Sequence, residues 1–127
     1  MKQYFYLIII FSLFNCASSI KSNFTETKSS INKNDGFAFL SEKHELPKGA
    51  IKIGTSKIKD TGFSTDCSYN SNLEKTRKIA RDNGANIVKV VKSKGANLWS
   101  TCTRMEIEYY YYDGDLKSIP QYTLTLE

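Results

Sequence analysis

Thiol and imidazole side chains, the commonest carriers of nucleophilic, redox and zinc chemistry, are few in this chain of 127 residues: the cysteines Cys16, Cys67 and Cys102, and a single histidine, His44. A thiol or hydroxyl enzyme needs a base beside its nucleophile. His44 stands in Ser-Glu-Lys-His-Glu-Leu, a polar stretch that reads as solvated. The cysteines do not form Cys-x-x-Cys, the spacing of a dithiol redox site. A zinc site takes about four nitrogen or sulfur ligands. His44, Cys67 and Cys102 are fewer than that, and scattered. No glycine-rich phosphate loop is present. The residues therefore spell no reaction. No catalytic residue, no metal and no cofactor is expected, and the chain reads as non-enzymatic. The alternative class is a ligand- or metal-binding module, with a carboxylate completing a set around His44, Cys67 and Cys102.

Cys16 belongs to a different chemistry, acylation. Lys2 precedes a run of mostly apolar residues from Tyr4 to Phe14, the charge-then-apolar order of a signal peptide. The run is too short to cross a bilayer core, which takes about 20 residues. Leu13-Phe14-Asn15-Cys16 resembles the lipobox at which lipoprotein signal peptidase cuts before a lipidated cysteine. Leu13 fits that pattern, while Asn15 and Phe14 depart from its usual small residues. The expected division is a signal peptide over 1–15, a lipidated tether over 16–35 and a folded domain over 36–127. Cleavage near Ala17 to Ser19, releasing a soluble secreted domain, is the other outcome. Ala17 is not acidic, so it lacks the retention signal that keeps some lipoproteins at the inner membrane. The expected location is the outer membrane, facing the periplasm.

With Cys16 lipidated, Cys67 and Cys102 remain as an even pair in an exported chain. Such a pair is expected to form a disulfide. It would close a loop worth about 4 kcal/mol of loop entropy.

Several elements must position these residues. Residues 17–35 are polar and aperiodic, and read as a flexible tether. Phe37 to Leu40 reads as a short strand, and Pro47-Lys48-Gly49 as a turn. Ala50 to Gly54 begins a strand whose phase slips at Gly54, the signature of a bulge. Asn70, Ser71 or Asn72 can cap a helix. Its apolar stripe is Leu73, Thr76, Ala80 and Asn83, and Asn83-Gly84 stops it, which gives a helix over about 71–83. Ile87 to Val91 is a β-branched strand. Leu98-Trp99 is a loop or a strand edge. From Cys102 to Tyr112 the chain alternates strictly, with Met105, Ile107, Tyr109 and Tyr111 on one side and Arg104, Glu106, Glu108, Tyr110 and Tyr112 on the other. The tail around Tyr122 to Leu126 either adds an edge strand or hangs free. The fold class is α+β: one helix on a small, mainly antiparallel sheet, in strand-helix-strand-strand order, with one disulfide.

Charge and aromatic residues point to partners. The net charge is +5. Basic groups dominate up to Arg104, while Glu106, Glu108, Asp113, Asp115 and Glu127 follow it. A basic body can attract an anionic partner such as lipid head groups or glycan. No nucleic-acid motif is present, and none is expected of an exported chain. Outward Tyr110 and Tyr112, with Trp99 as an addition, form the expected partner face, since tyrosine brings contact area at low entropy cost.

Gly62-Phe63-Ser64-Thr65-Asp66-Cys67, a helix with Ala80-Arg81, then Gly84-Ala85-Asn86-Ile87-Val88 and Ser100-Thr101-Cys102 are together similar to small lipoproteins of the bacterial envelope. Over residues 50–112 the chain resembles the outer-membrane sensor lipoproteins of the Rcs envelope-stress phosphorelay. That family places a cysteine before a helix, Gly-Ala-Asn at its end, and disulfides between helix and sheet. This chain has one body cysteine pair where the Rcs sensors have two disulfides. The fold also resembles a small family named for heavy-metal binding. The resemblance implies a lipid-anchored protein that works by protein–protein contact, as sensor, adaptor or assembly factor.

Overall fold

A computed structural model of the chain describes residues 19–61, 66–98 and 100–125. The expected signal peptide, Cys16 and Trp99 lie outside the described residues. The elements run β1 (Ser19–Phe24), β2 (Ala38–Leu40), β3 (Ile51–Lys59), α1 (Tyr69–Asp82), β4 (Ile87–Lys94) and β5 (Arg104–Tyr111). The sheet order is β1-β3-β5-β4-β2. Every neighbouring pair is antiparallel except β2 and β4. β3 and β4 flank β5 and run the same way, so α1 is the crossover between them, which a two-residue turn could not supply. Among the described residues no helix is long and apolar enough to cross a membrane.

The core follows the period-two pattern of β5. Met105, Ile107 and Tyr109 are buried under α1, joined by Ile53, Ile58, Val88 and Val90 from the flanking strands. Leu73 and Ala80 come down from the helix. The strand pairing shifts register between Lys52 and Gly54, where the sequence phase slips. A second shift, between Val90 and Lys92, carries β4 past the β-branched run to Lys94.

α1 starts two residues earlier than the sequence pattern predicts. Ser68 is the cap, and its hydroxyl accepts from the Ser71 amide at 3.2 Å. Contacts with the chain's tail extend the first turn. The Tyr69 ring meets Tyr122 edge-on at 5.4 Å, and the Asn70 amide donates to the Thr125 carbonyl at 2.7 Å. The helix closes on Gly84 at φ +81°. The Gly84 amide donates to Arg81 at 3.2 Å and the Ala85 amide to Ala80 at 2.8 Å, the paired bonds of a Schellman cap.

The expected tether over 16–35 is corrected from Ser19 onward, because those residues belong to the domain. β1 pairs along β3 from Ser19↔Lys59 to Phe24↔Gly54. Ile20, Ser22 and Phe24 turn inward. Phe24 stacks on Tyr109 at 5.1 Å. The hydroxyls of Ser22, Ser56 and Tyr109 form a chain at 2.6 and 2.7 Å. Composition concealed this strand, since its inward serine meets a polar partner rather than the apolar core. Residues further on dock as well: the Lys28 amide donates to Asn83 and the Ile31 amide to Arg81. The tail docks too. Tyr122 bridges to Phe39, with its amide donating at 2.7 Å, and Leu124 packs on the core.

Candidate functional site

Cys67 and Cys102 form a disulfide, with Cα atoms 5.0 Å apart. Both residues are buried. The first stands just before α1 and the second just before β5, so the bridge ties the helix start to the sheet. Backbone and amide groups reinforce it. The Thr103 amide donates to the Cys67 carbonyl at 3.0 Å. The Asn72 side chain, fully buried, donates to the carbonyls of Thr103 at 2.9 Å and Cys67 at 3.3 Å. A buried polar side chain is retained where its bonds are made. The sequence signal for Asn72 is its place four residues before Thr76 on the buried side of the helix.

Beside this bridge opens a cleft of about 670 Å³, lined among others by Asp66, Ser68, Tyr69, Asn70, Glu74 and Tyr122. The Ser71 hydroxyl donates to Asp66, and Lys75 approaches its carboxylate at 3.4 Å. The Ser71 bond is the main reason that the Asp66 carboxyl titrates below the usual range, with Lys75 adding to it against slight desolvation. Tyr122 donates to the Asn70 side chain at 2.7 Å. Desolvation, with the charges of Tyr122 and Glu42 behind it, raises the pKa of Tyr69. The cleft thus offers two tyrosines, a carboxylate and further polar side chains. Sequence reasoning missed it, because Tyr69 and Tyr122 are 53 positions apart in a chain with several tyrosines.

His44 serves the loop after β2. Its Nδ1 accepts from the Ser41 amide and meets the Ser41 hydroxyl, both at 3.0 Å. The carbonyls of Ser41, Glu42 and His44 then surround the Lys89 ammonium. His44 is therefore not brought to either body cysteine. Among the described residues no group of three or more His, Cys, Asp or Glu is placed to hold a metal.

The expected outward exposure is corrected at Tyr110. Tyr110 does point away from α1, but that side is covered there. It is 8% exposed and packs with Ala38, Leu40, Ile87 and Leu116 in a second apolar cluster. Its hydroxyl donates to Glu108 at 2.6 Å, and burial together with that acceptor raises its pKa. Tyr112 is half-buried against the same cluster. Its backbone is held by both ends of the Asn86 side chain, at 2.6 and 2.9 Å. Asn86 in Gly-Ala-Asn thus continues the β4–β5 ladder by one side-chain pair.

Fold and site define a small α+β domain with a disulfide-pinned helix start and a tyrosine-lined cleft beside it. Comparison with family models, with curated proteins and with solved structures returned no match.

Proposed function

We propose that this is an exported, lipid-anchored protein of the cell envelope that acts by binding another envelope protein, as sensor, adaptor or assembly factor. The observation that supports it most is the buried Cys67–Cys102 disulfide. Such bonds persist in oxidising compartments. This one fixes Asp66 and Ser68, and with them the rim of the tyrosine cleft. Tyrosine rings with a wet polar edge suit protein recognition. The leader and Cys16 supply export and the lipid anchor, and Ala17 favours the outer membrane over the inner. The kinship with Rcs sensors is part of this proposal and rests on the residues quoted above.

The test is in-cell photo-crosslinking from position 74, since Glu74 lines the cleft. Position 48, in the loop before β3, is the control. One specific membrane or periplasmic protein captured from position 74 and not from 48 is the expected result. Capture of the same abundant bystanders from both positions would overturn the reading.

A further inference from the structure

The side of the sheet away from α1 is covered at one end by the Tyr110 cluster and open at the other. At the open end the strand registers gather positive charge. Lys21 stands opposite Lys57, and Ser19 opposite Lys59. Lys94 stands opposite Arg104, and Lys92 opposite Glu106. Lys57 flanks the same Glu106 from β3. Alternation puts Lys21, Lys57, Lys59, Lys92, Lys94 and Arg104 on this open side, because Ile20, Ile58 and Met105 between them face the core. All five lysines are exposed. Two shallow grooves, each of about 230 Å³, run between them. The ion pairs of the described residues lie elsewhere on the molecule. The Nε of Arg104 is enclosed and has no hydrogen-bond partner. Among the described residues, then, no salt bridge engages any of these six cations, which gather around the Glu106 carboxylate.

Two further observations fix the orientation of this end. β1 starts there, since Ser19 is the partner of Lys59. Three residue steps separate Ser19 from Cys16, and an extended chain covers at most about 3.3–3.6 Å per residue. A lipid on Cys16 therefore holds this end within about 10 Å of the head groups, close to the ~8 Å over which physiological salt screens charge. The loop joining β4 to β5 leaves the same end. It carries Leu98 fully exposed, and Ser100 of that loop donates to Asp60, the residue after β3. A basic surface with one projecting apolar side chain is complementary to an anionic bilayer surface.

We propose that the open end of the sheet, built from Lys21, Lys57, Lys59, Lys92, Lys94 and Arg104, docks flat on anionic phospholipid head groups and turns α1 away from the membrane. The proposal deepens the lipid-anchor reading of Cys16 and rests on it for orientation. The docked domain presents its helix layer, with Glu74 and the tyrosine cleft, to the aqueous side.

The test reconstitutes the mature lipidated chain into phosphatidylethanolamine–phosphatidylglycerol vesicles and, in parallel, into phosphatidylcholine vesicles. Lysines are acylated briefly with an amine-reactive reagent and read residue by residue by mass spectrometry. Lys57, Lys59, Lys92 and Lys94 are expected to react severalfold more slowly on the anionic vesicles, and high salt is expected to erase the difference. Lys48 and Lys117, at the opposite end of the sheet, are expected to react alike on both. Equal reactivity of the four lysines on the two vesicle types overturns the proposal. So does protection seen in intact envelopes and absent on anionic vesicles, which would assign the patch to an acidic protein instead. The anchor is judged separately, by the mass of the N-terminal peptide. If that peptide carries no acyl chain, the chain is added to anionic vesicles from solution. Salt-sensitive protection of the same lysines then supports the docking surface without the anchor, and its absence overturns the surface as well.

Discussion

The hydroxyl of Tyr110 donates to Glu108, which also takes a hydrogen bond and ion pair from Lys52. Two consequences follow for single substitutions. Tyr110 fills the second apolar cluster, so Tyr110→Ala leaves a cavity and an unpaired carboxylate lone pair. Large-to-small aromatic truncation in a core costs about 3–5 kcal/mol. A shift of that size toward instability is expected in chemical denaturation, whereas a surface tyrosine would show almost none. The second consequence is a pH dependence. Partial desolvation raises the Glu108 pKa, but the bonds from Lys52 and Tyr110 and the charges of Lys52 and Lys89 outweigh it, so the folded value lies below the ordinary one. A carboxyl depressed by folding contributes stability above its unfolded pKa, about 4.3, and loses it as pH falls through the folded value. Denaturation midpoints of the parent are expected to drop on acidification through that window. Those of Glu108→Gln should start lower at neutral pH and drop less. Parallel curves for the two proteins would show that Glu108 is not one of the groups responsible.

At the scale of elements, the close of α1 makes a sharp demand on one residue. Gly84 combines φ +81° with a crowded site, since an added Cβ would lie 2.5 Å from the Lys28 Cβ and 2.8 Å from its backbone carbon. Gly49 has φ +89° and open space around it. Gly49→Ala is therefore expected to cost only the left-handed backbone penalty, roughly 1–2 kcal/mol. Gly84→Ala should cost more, and should also release the Lys28 amide from Asn83, which hydrogen exchange would read directly. Equal costs at the two sites would mean that residues 25–31 are not packed on the helix end. The contrast bears on what the sequence revealed. The helix, its glycine stop, the β5 alternation and the bulge at Gly54 were legible, because each is a local pattern with a local cause. The pairing of Cys67 with Cys102 was legible from parity once Cys16 was set aside as the expected lipidation site. β1 was not, because Ser22 finds its partner in Ser56 far along the chain, and composition alone favours a tether. Tyr110 was assigned the right side of the strand and the wrong exposure. Alternation reports direction, while burial depends on loops that arrive from elsewhere. The cleft was beyond reach for the same reason, since it needs Tyr69 and Tyr122 brought together by the tail.

At the scale of the whole molecule, the described residues form a one-helix layer on a five-stranded sheet, with little surface to hold the helix. Leu73, Thr76 and Ala80 are the helix's buried contacts with the sheet, and Asn72 adds hydrogen bonds at the helix start. The disulfide joins the two layers at that start. It spans 35 positions in sequence, and a loop of that length removes about 4 kcal/mol of denatured-state entropy. Against a domain stability of roughly 5–15 kcal/mol, the bridge is a large share of what holds the fold. Reduction, or Cys67→Ser with Cys102→Ser, is therefore expected to lower the denaturant midpoint strongly. The loss should be uneven in space. The β3–β5–β4 centre has its own apolar core, so its amides should stay protected longest in hydrogen exchange. Amides of the first helical turn and those around Thr103 should open first, and the tyrosine cleft should open with them. Partner capture from position 74 would then fall under reducing conditions before global unfolding. Uniform loss of protection across sheet and helix would show instead that the two layers unfold together and that the bridge acts only on the denatured chain.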